Sequence, residues 1–307
     1  MNTPVDARMN LVELTEKFGS DDRCREVLEQ LRWPDGPKCP RCKEDATKIA
    51  NRFQYDCDSC HYQFSVTAGT IFHDSHFSLW KWFIAIYLMT ESRKGISANQ
   101  IKRTLGLKGY KTAWYLCQRI RKAMAEVPLE PLKGIVEFDE TYIGGRRRHC
   151  GAHFTGNKTM VLGAVERGGH CHLRTETRPP TTAVMREFVE EQLGRVPAEN
   201  TRVMTDEKPA YRGAIRPGTM HQSVTHSKEE YVRGDVHTNS VENAWSLFKR
   251  SIVGSYHQVS KKHLDAYLDE FEWRFNNRKN PFLFRDTLLK LIHSDKLEYK
   301  KLVQQVA

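Results

Sequence analysis

The chain has 307 residues, a hydrophobic share of 39%, and 48 Lys+Arg against 38 Asp+Glu, for a formal net charge of +10. It is long enough for two or three modules, and its basic balance favours a polyanionic partner, nucleic acid first. No apolar run approaches the ~20 residues of a membrane span, and the N-terminus lacks a charged region followed by an apolar one. A soluble cytoplasmic protein with no membrane partner is therefore expected.

In residues 1–36, Leu11, Leu14 and Phe18, then Cys24, Val27, Leu28 and Leu31, recur at helical spacing, with Ser20 or Asp21 as the cap between two helices. Trp33-Pro34-Asp35-Gly36 ends the second. Cys24 stands apart from the other cysteines and reads as a small core residue.

Residues 37–74 carry the strongest local motif. Cys39-Pro40-Arg41-Cys42 and Cys57-Asp58-Ser59-Cys60 are two C-x-x-C knuckles separated by residues 43–56. Two sulfurs from each tight turn make the four-thiolate tetrahedron of a structural zinc ion, with no open position for catalysis. Phe53, Tyr55, Tyr62 and Phe64 alternate around the second knuckle as hairpin strands do. Such a small core needs metal to fold. His61 follows a ligand directly and reads as a surface side chain.

Residues 75–128 read as helical. Ser78 to Met89 is rich enough in large apolar groups to be a buried helix. A short helix capped by Ser97, a turn at Gly106 and a second helix from Tyr110 then suggest a helix-turn-helix, with an ordinary helical hairpin as the alternative. Lys111, Thr112, Arg119, Arg121 and Lys122 on the second helix are the candidate DNA contacts, and Cys117 is assigned to the core.

After Pro128 and Pro131 the composition changes, and a domain of residues 130–280 is expected, followed by a helical tail over 281–307. Gly134 to Gly145 has the β-branched and aromatic content of a buried strand, yet Asp139 sits in its middle. A carboxylate there is costly to desolvate without a hydrogen bond, a cation or a metal. Two more strands, Lys158–Glu166 and His172–Glu176, then a helix over Thr181–Leu193 and a strand Thr201–Asp206 that again ends in an acid, predict an α/β architecture with one mixed sheet. Arg146, Arg147 and Arg148 form a basic loop between the first two strands. Glu242 lies on a last helix with Val241, Trp245 and Phe248 on its packed stripe; residues 207–241 separate it from Asp206, and Lys249 follows seven positions later.

Two strand aspartates, a glutamate after that interval and a lysine two turns on resemble the catalytic signature of the DDE transposases and retroviral integrases. The stretches Phe138 to Gly145, Thr205 to Tyr211 and His237 to Arg250 resemble bacterial insertion-sequence transposases with an N-terminal zinc ribbon and a ribonuclease-H-like core. Arg32 to Gly36, Tyr256 to Leu264 and Phe271 to Arg278 extend the similarity over nearly the whole chain.

The resemblance implies that Asp139, Asp206 and Glu242 hold two Mg2+ or Mn2+ ions, with Lys249 and Arg250 on a DNA phosphate. Some members use an asparagine in the third place, and Asn239 lies one turn before Glu242; Glu242 is preferred because a third anionic oxygen suits a divalent pair better than an amide. It also implies cleavage at element ends, joining to target DNA by phosphoryl transfer, and a homo-oligomer that holds two ends. Two other classes compete: a DNA-binding regulator, which leaves the three acids unexplained, and a ribonuclease-H-like nuclease, which has no need of an elaborate DNA-reading half.

Overall fold

The computed structural model describes residues 5, 7–125, 130–145, 158–194, 199–224 and 232–304. The basic loop Arg146, Arg147 and Arg148 lies outside them. The chain divides into two compact units, one of residues 1–124 with 277–307 and the other of residues 125–276.

The first unit begins with helices α1 (Leu11–Phe18) and α2 (Asp21–Arg32). Asn10 and Glu13 form a reciprocal capping box on α1, and the Ser20 hydroxyl accepts from Arg23 N at the start of α2, so one of the two expected caps is Ser20. Leu14, Phe18, Cys24, Val27 and Leu28 are buried, whereas Leu11, the first residue of α1, is exposed. Burial pushes the Cys24 thiol up to about 12, so it behaves as a core group.

Strands β1 (Ala46–Lys48), β2 (Tyr55–Cys57) and β3 (Gln63–Phe64) form an antiparallel ribbon. Trp33, at the end of α2, packs edge-on against Tyr55 and Phe64 and closes this small core. Phe53, expected inside it, is 53% exposed and carries the Arg25 guanidinium over its ring at 3.5 Å.

Helix α3 (Leu79–Glu91) buries Trp82, Phe83, Ile86 and Met89. Helices α4 (Ala98–Thr104) and α5 (Tyr110–Met124) pack on each other across the turn at Gly106, which adopts φ +62°. Later in the chain, α10 (Leu283–His293) packs on α2, α3 and α5, and α11 (Tyr299–Val303) follows it. The C-terminal segment is therefore part of this unit's core and not a free tail.

The second unit is built on a five-stranded mixed sheet of β4 (Ile135–Ile143), β5 (Thr159–Glu166), β6 (Cys171–Glu176), β7 (Arg202–Thr205) and β8 (Met220–Ser223), in the order β6-β5-β4-β7-β8. The first three strands are antiparallel meanders, while β4, β7 and β8 run parallel. The fifth strand, β8, is polar and half-exposed, which left no periodic apolar signal to announce it. Helices cover both faces. Val136 and Phe138 of β4 pack with Val184, Met185 and Phe188 of α6 (Thr182–Leu193) and Tyr211 of α7 (Pro209–Arg212). On the opposite face Ile143, Val161 and Val165 pack with Val241, Trp245 and Phe248 of α8 (Asn239–Ser251) and Leu268 and Phe271 of α9 (Leu264–Asn276). No helix among the described residues is long and apolar enough to cross a membrane.

Candidate active site and metal centres

The central strand β4 places its side chains alternately on the two faces, so Glu137, Asp139 and Thr141 point towards α8 while Phe138 and Glu140 point towards α6 and α7. Residue Val136 pairs with Val203 of β7, and Glu137 with Met204. Continuing that register two residues brings Asp206, just past the end of β7, level with Asp139. Adjacent parallel strands thus bring the two acids together, although 66 residues separate them in sequence.

Asp139 is half-buried, and its Oδ2 accepts the indole N–H of Trp245 at 3.0 Å. Burial, reinforced by the neighbouring Glu140 and Asp206 carboxylates and opposed by Lys208, pushes its carboxyl up to about 7. Directly across the β4–β5 ladder lies Gly163. A Cβ there would stand 2.4 Å from Trp245 Cζ2, so the missing side chain is what lets the indole lie against the sheet.

Lys208 has no counterpart among the residues the sequence singled out. Its ammonium sits 3.0 Å from Asp206 Oδ2 and also contacts Glu140, whose other oxygen accepts from the Tyr211 hydroxyl at 3.1 Å. Burial disfavours the charge on Lys208, but Glu140 and Asp206 outweigh that and raise its pKa. A fixed cation thereby offsets the repulsion of an acid cluster that is otherwise unfavourable.

Helix α8 supplies the third group. Glu242 is exposed; its Oε1 accepts from Thr238 Oγ1 at 2.8 Å, and it lines an open cavity of about 630 Å³ together with Asp139, Glu140, Trp245, Lys249 and Arg250. Asn239 is exposed one turn earlier and is not on that cavity's wall, and neither is Asp206. Beyond Arg250 the helix widens over Ile252–Tyr256, where His257 N reaches back to Ile252 O, and Val253 from this turn completes the wall. An all-oxygen set of carboxylates suits Mg2+ or Mn2+ chemically. Among the described residues, however, only the four cysteines approach closely enough to ligate an ion together as they stand.

Those cysteines form the second centre. The sulfurs of Cys42 and Cys57 are 3.3 Å apart, Cys42 and Cys60 3.5 Å, and Cys39 and Cys60 3.7 Å, with all four within 4.8 Å of one another. A disulfide requires about 2.05 Å, whereas a tetrahedron with metal–sulfur bonds of about 2.3 Å has edges of roughly 3.8 Å. The spacing fits one structural zinc ion. Backbone N–H groups of Arg41 and Cys60 already point at sulfur, as they do around thiolates.

The helix-turn-helix candidates divide. Lys111, Thr112 and Lys122 are exposed, as is Tyr110 at the start of α5. Arg119 and Arg121 are only 3% and 1% exposed, which corrects their assignment as DNA contacts. Arg119 points inward, donates to the carbonyls of Ile71 and His73, and lies against Trp82. Arg119 and Arg121 project from different sides of the helix, and sequence alone does not say which carbonyls sit opposite Arg119.

The chain thus combines a mixed sheet with acids on its central strand, an acid-bearing helix on that sheet and a four-thiolate ribbon. The chain belongs to the ISXO2-like transposase family: residues 131–276 match the ISXO2-like transposase domain and residues 19–63 the transposase zinc-ribbon domain. It is 30% identical over 278 residues to an uncharacterized protein in transposable element ISH50 of Halobacterium salinarum, a match that covers 84% of this chain and 91% of that one. A fainter likeness links it to a chain in the crystal structure of a pre-cleavage Mos1 transpososome, at 14% identity over 67% of this chain and 77% of that one, with a TM-score of 0.25. At that score the two chains share too little geometry for the likeness to bear on the fold.

Proposed function

We propose that this transposase binds the ends of its insertion element, cleaves them to free 3′-hydroxyls and joins those to target DNA in one metal-dependent site. The observation that carries the reading is the convergence of Asp139, Glu242, Lys249 and Arg250 on one open cavity, with Asp206 brought level with Asp139 by the β4–β7 register. Asp139, Asp206 and Glu242 would hold the ions, and when bound these would polarise the attacking oxygen and stabilise the leaving one.

The chain's own groups have distinct tasks. Trp245 orients the Asp139 carboxylate, leaving its other oxygen towards the cavity. Lys249 and Arg250, both exposed on its rim, bind the phosphate next to the reacting bond. Water attacks phosphorus, the phosphorus–oxygen bond to the 3′ side breaks, and the departing oxygen takes up a proton as the free hydroxyl. That hydroxyl then attacks a target phosphodiester: its oxygen bonds to the target phosphorus, the target's own phosphorus–oxygen bond on the 3′ side breaks, and the departing target oxygen takes up the proton as a free 3′-hydroxyl, so no covalent protein intermediate forms. In the N-terminal half, Lys111, Thr112 and Lys122 contact DNA, and joining two ends calls for a homo-oligomer.

The test compares amide substitutions in purified protein on element-end duplex. Asp139→Asn, Asp206→Asn and Glu242→Gln should each abolish Mg2+-dependent cleavage and leave binding intact. If Glu242→Gln cleaves normally and Asn239→Ala does not, the helix offers its amide instead and the assignment of the third ligand is wrong.

A further inference from the structure

Helix α8 carries Glu242, Lys249 and Arg250, but its N-cap residue makes no side-chain cap bond, and a local bond to its first turn runs from Asn239 N to His237 Nδ1 at 3.4 Å. Thr238 stands at the N-cap position, yet its hydroxyl donates to Glu242 Oε1. The N–H groups of Ser240 and Val241, which a local cap would take, donate instead to Oε2 of Glu137 at 2.6 and 3.0 Å, and the Ser240 hydroxyl donates to its Oε1 at 3.0 Å. A strand residue more than a hundred positions upstream thus does the work of an N-cap, with its negative charge at the positive end of the helix.

Glu137 is fully buried, and its charge is matched. Arg167, at the end of β5, donates from Nε to Glu137 Oε1 at 2.6 Å, from Nη1 to the Asp235 carbonyl at 2.7 Å, and from Nη2 to the His237 carbonyl at 3.0 Å. The same guanidinium therefore holds both the cap and the chain that leads into the helix.

Spacing gives the arrangement its meaning. Glu137 and Asp139 lie on one face of β4, roughly 7 Å apart along the strand. Their partners on α8, the Val241 N–H and the Trp245 indole, are four residues apart, or about 6 Å along a helix axis. Two matched anchors pin the helix alongside the strand, and Glu242 lies between them. We infer that Glu137, braced by Arg167, is a positioning residue of the active site: it sets the axial position of α8 and so the place of Glu242 relative to Asp139.

This rests on the transposase reading, and the experiment separates the two. Full-length wild type and Glu137→Gln are compared by hydrogen–deuterium exchange, by affinity for element-end duplex and by Mg2+-dependent cleavage. Glu137→Gln should speed exchange in the segment 238–245 alone, leave DNA affinity within about 2-fold, and slow cleavage on the order of 100-fold, the cost of a displacement of about 1 Å at a reacting centre.

Unchanged exchange in 238–245, or local fraying with normal cleavage, would overturn the inference. Faster exchange spread through 135–143 and 159–166 would also overturn it, since the role would then be one of general stability. Should Glu137→Gln not fold, Glu137→Gln with Arg167→Gln removes both charges of the pair and is held to the same outcomes. Wild type that binds element ends without cleaving them counts against the transposase reading, and exchange in 238–245 still decides whether Glu137 docks the helix.

Discussion

Gly163→Ala tests the geometry of the candidate site with a single methyl group. The added Cβ would stand 2.4 Å from Trp245 Cζ2, 2.6 Å from Cη2 and 3.2 Å from Leu173 Cδ2. The first two belong to a rigid ring held by the Val241, Trp245 and Phe248 stripe and by its N–H bond to Asp139, so no flexible side-chain end can yield. Ordinary contact requires the ring to retreat by about 1 Å. Overpacking of this kind costs about 1 to 3 kcal/mol. For a unit of this size that lowers the melting temperature by roughly 2 to 4 °C per kcal/mol. The same shift carries Glu242 away from Asp139, so Mg2+-dependent cleavage should fall on the order of 100-fold. Gly254→Ala is the control, because a Cβ there meets nothing within 4 Å. The measurements are thermal denaturation and single-turnover cleavage of element-end duplex. A Gly163→Ala protein that melts within about 1 °C of wild type and cleaves at its rate would refute the packing of Trp245 described here.

Four further outcomes are expected. Elemental analysis should find one zinc per chain, and Cys57→Ser should release it and unfold the ribbon, because binding in such modules contributes about 10 to 16 kcal/mol; a folded, zinc-free protein would contradict this. Lys111→Ala should weaken DNA binding and reduce the log–log salt slope by about 0.9, whereas Arg119→Gln should lower the melting temperature, since it loses bonds to the Ile71 and His73 carbonyls worth about 1.5 to 3 kcal/mol for a charged donor. Hydrogen bonding from Arg178 holds the buried Glu176 carboxyl down at about 2, below its ordinary 4.5. Its stabilisation is therefore complete above pH ~4.5 and lost as pH falls through about 2, and it is small because Arg178 is exposed to solvent. The difference in melting temperature between wild type and Glu176→Gln should shrink across that window, and a constant difference would refute the assignment.

The four-thiolate centre was legible in the sequence because each C-x-x-C knuckle is a local object: its two sulfurs are placed by one tight turn, and only the pairing of Cys39 and Cys42 with Cys57 and Cys60 awaited the fold. Helix caps at Ser20 and Ser97 were readable for the same reason, since a cap bonds within three residues. Asp139 stood out as a carboxylate in the middle of an apolar strand, whereas Asp206, Glu242 and Lys249 stood out through interval and family resemblance. What only the tertiary structure decided concerns partners remote in sequence. Arg119 and Arg121 look like surface charge until the carbonyls of Ile71 and His73 appear beside Arg119. Gly163 gains its meaning from Trp245, Lys208 from Glu140, and Glu137 from the N–H groups of Ser240 and Val241. Periodicity and capping encode interactions within a turn or two, whereas strand register and helix docking depend on the simultaneous packing of the whole sheet, so an acid such as Glu137 shows in the sequence as one more polar residue in a strand and in the fold as the cap of a helix.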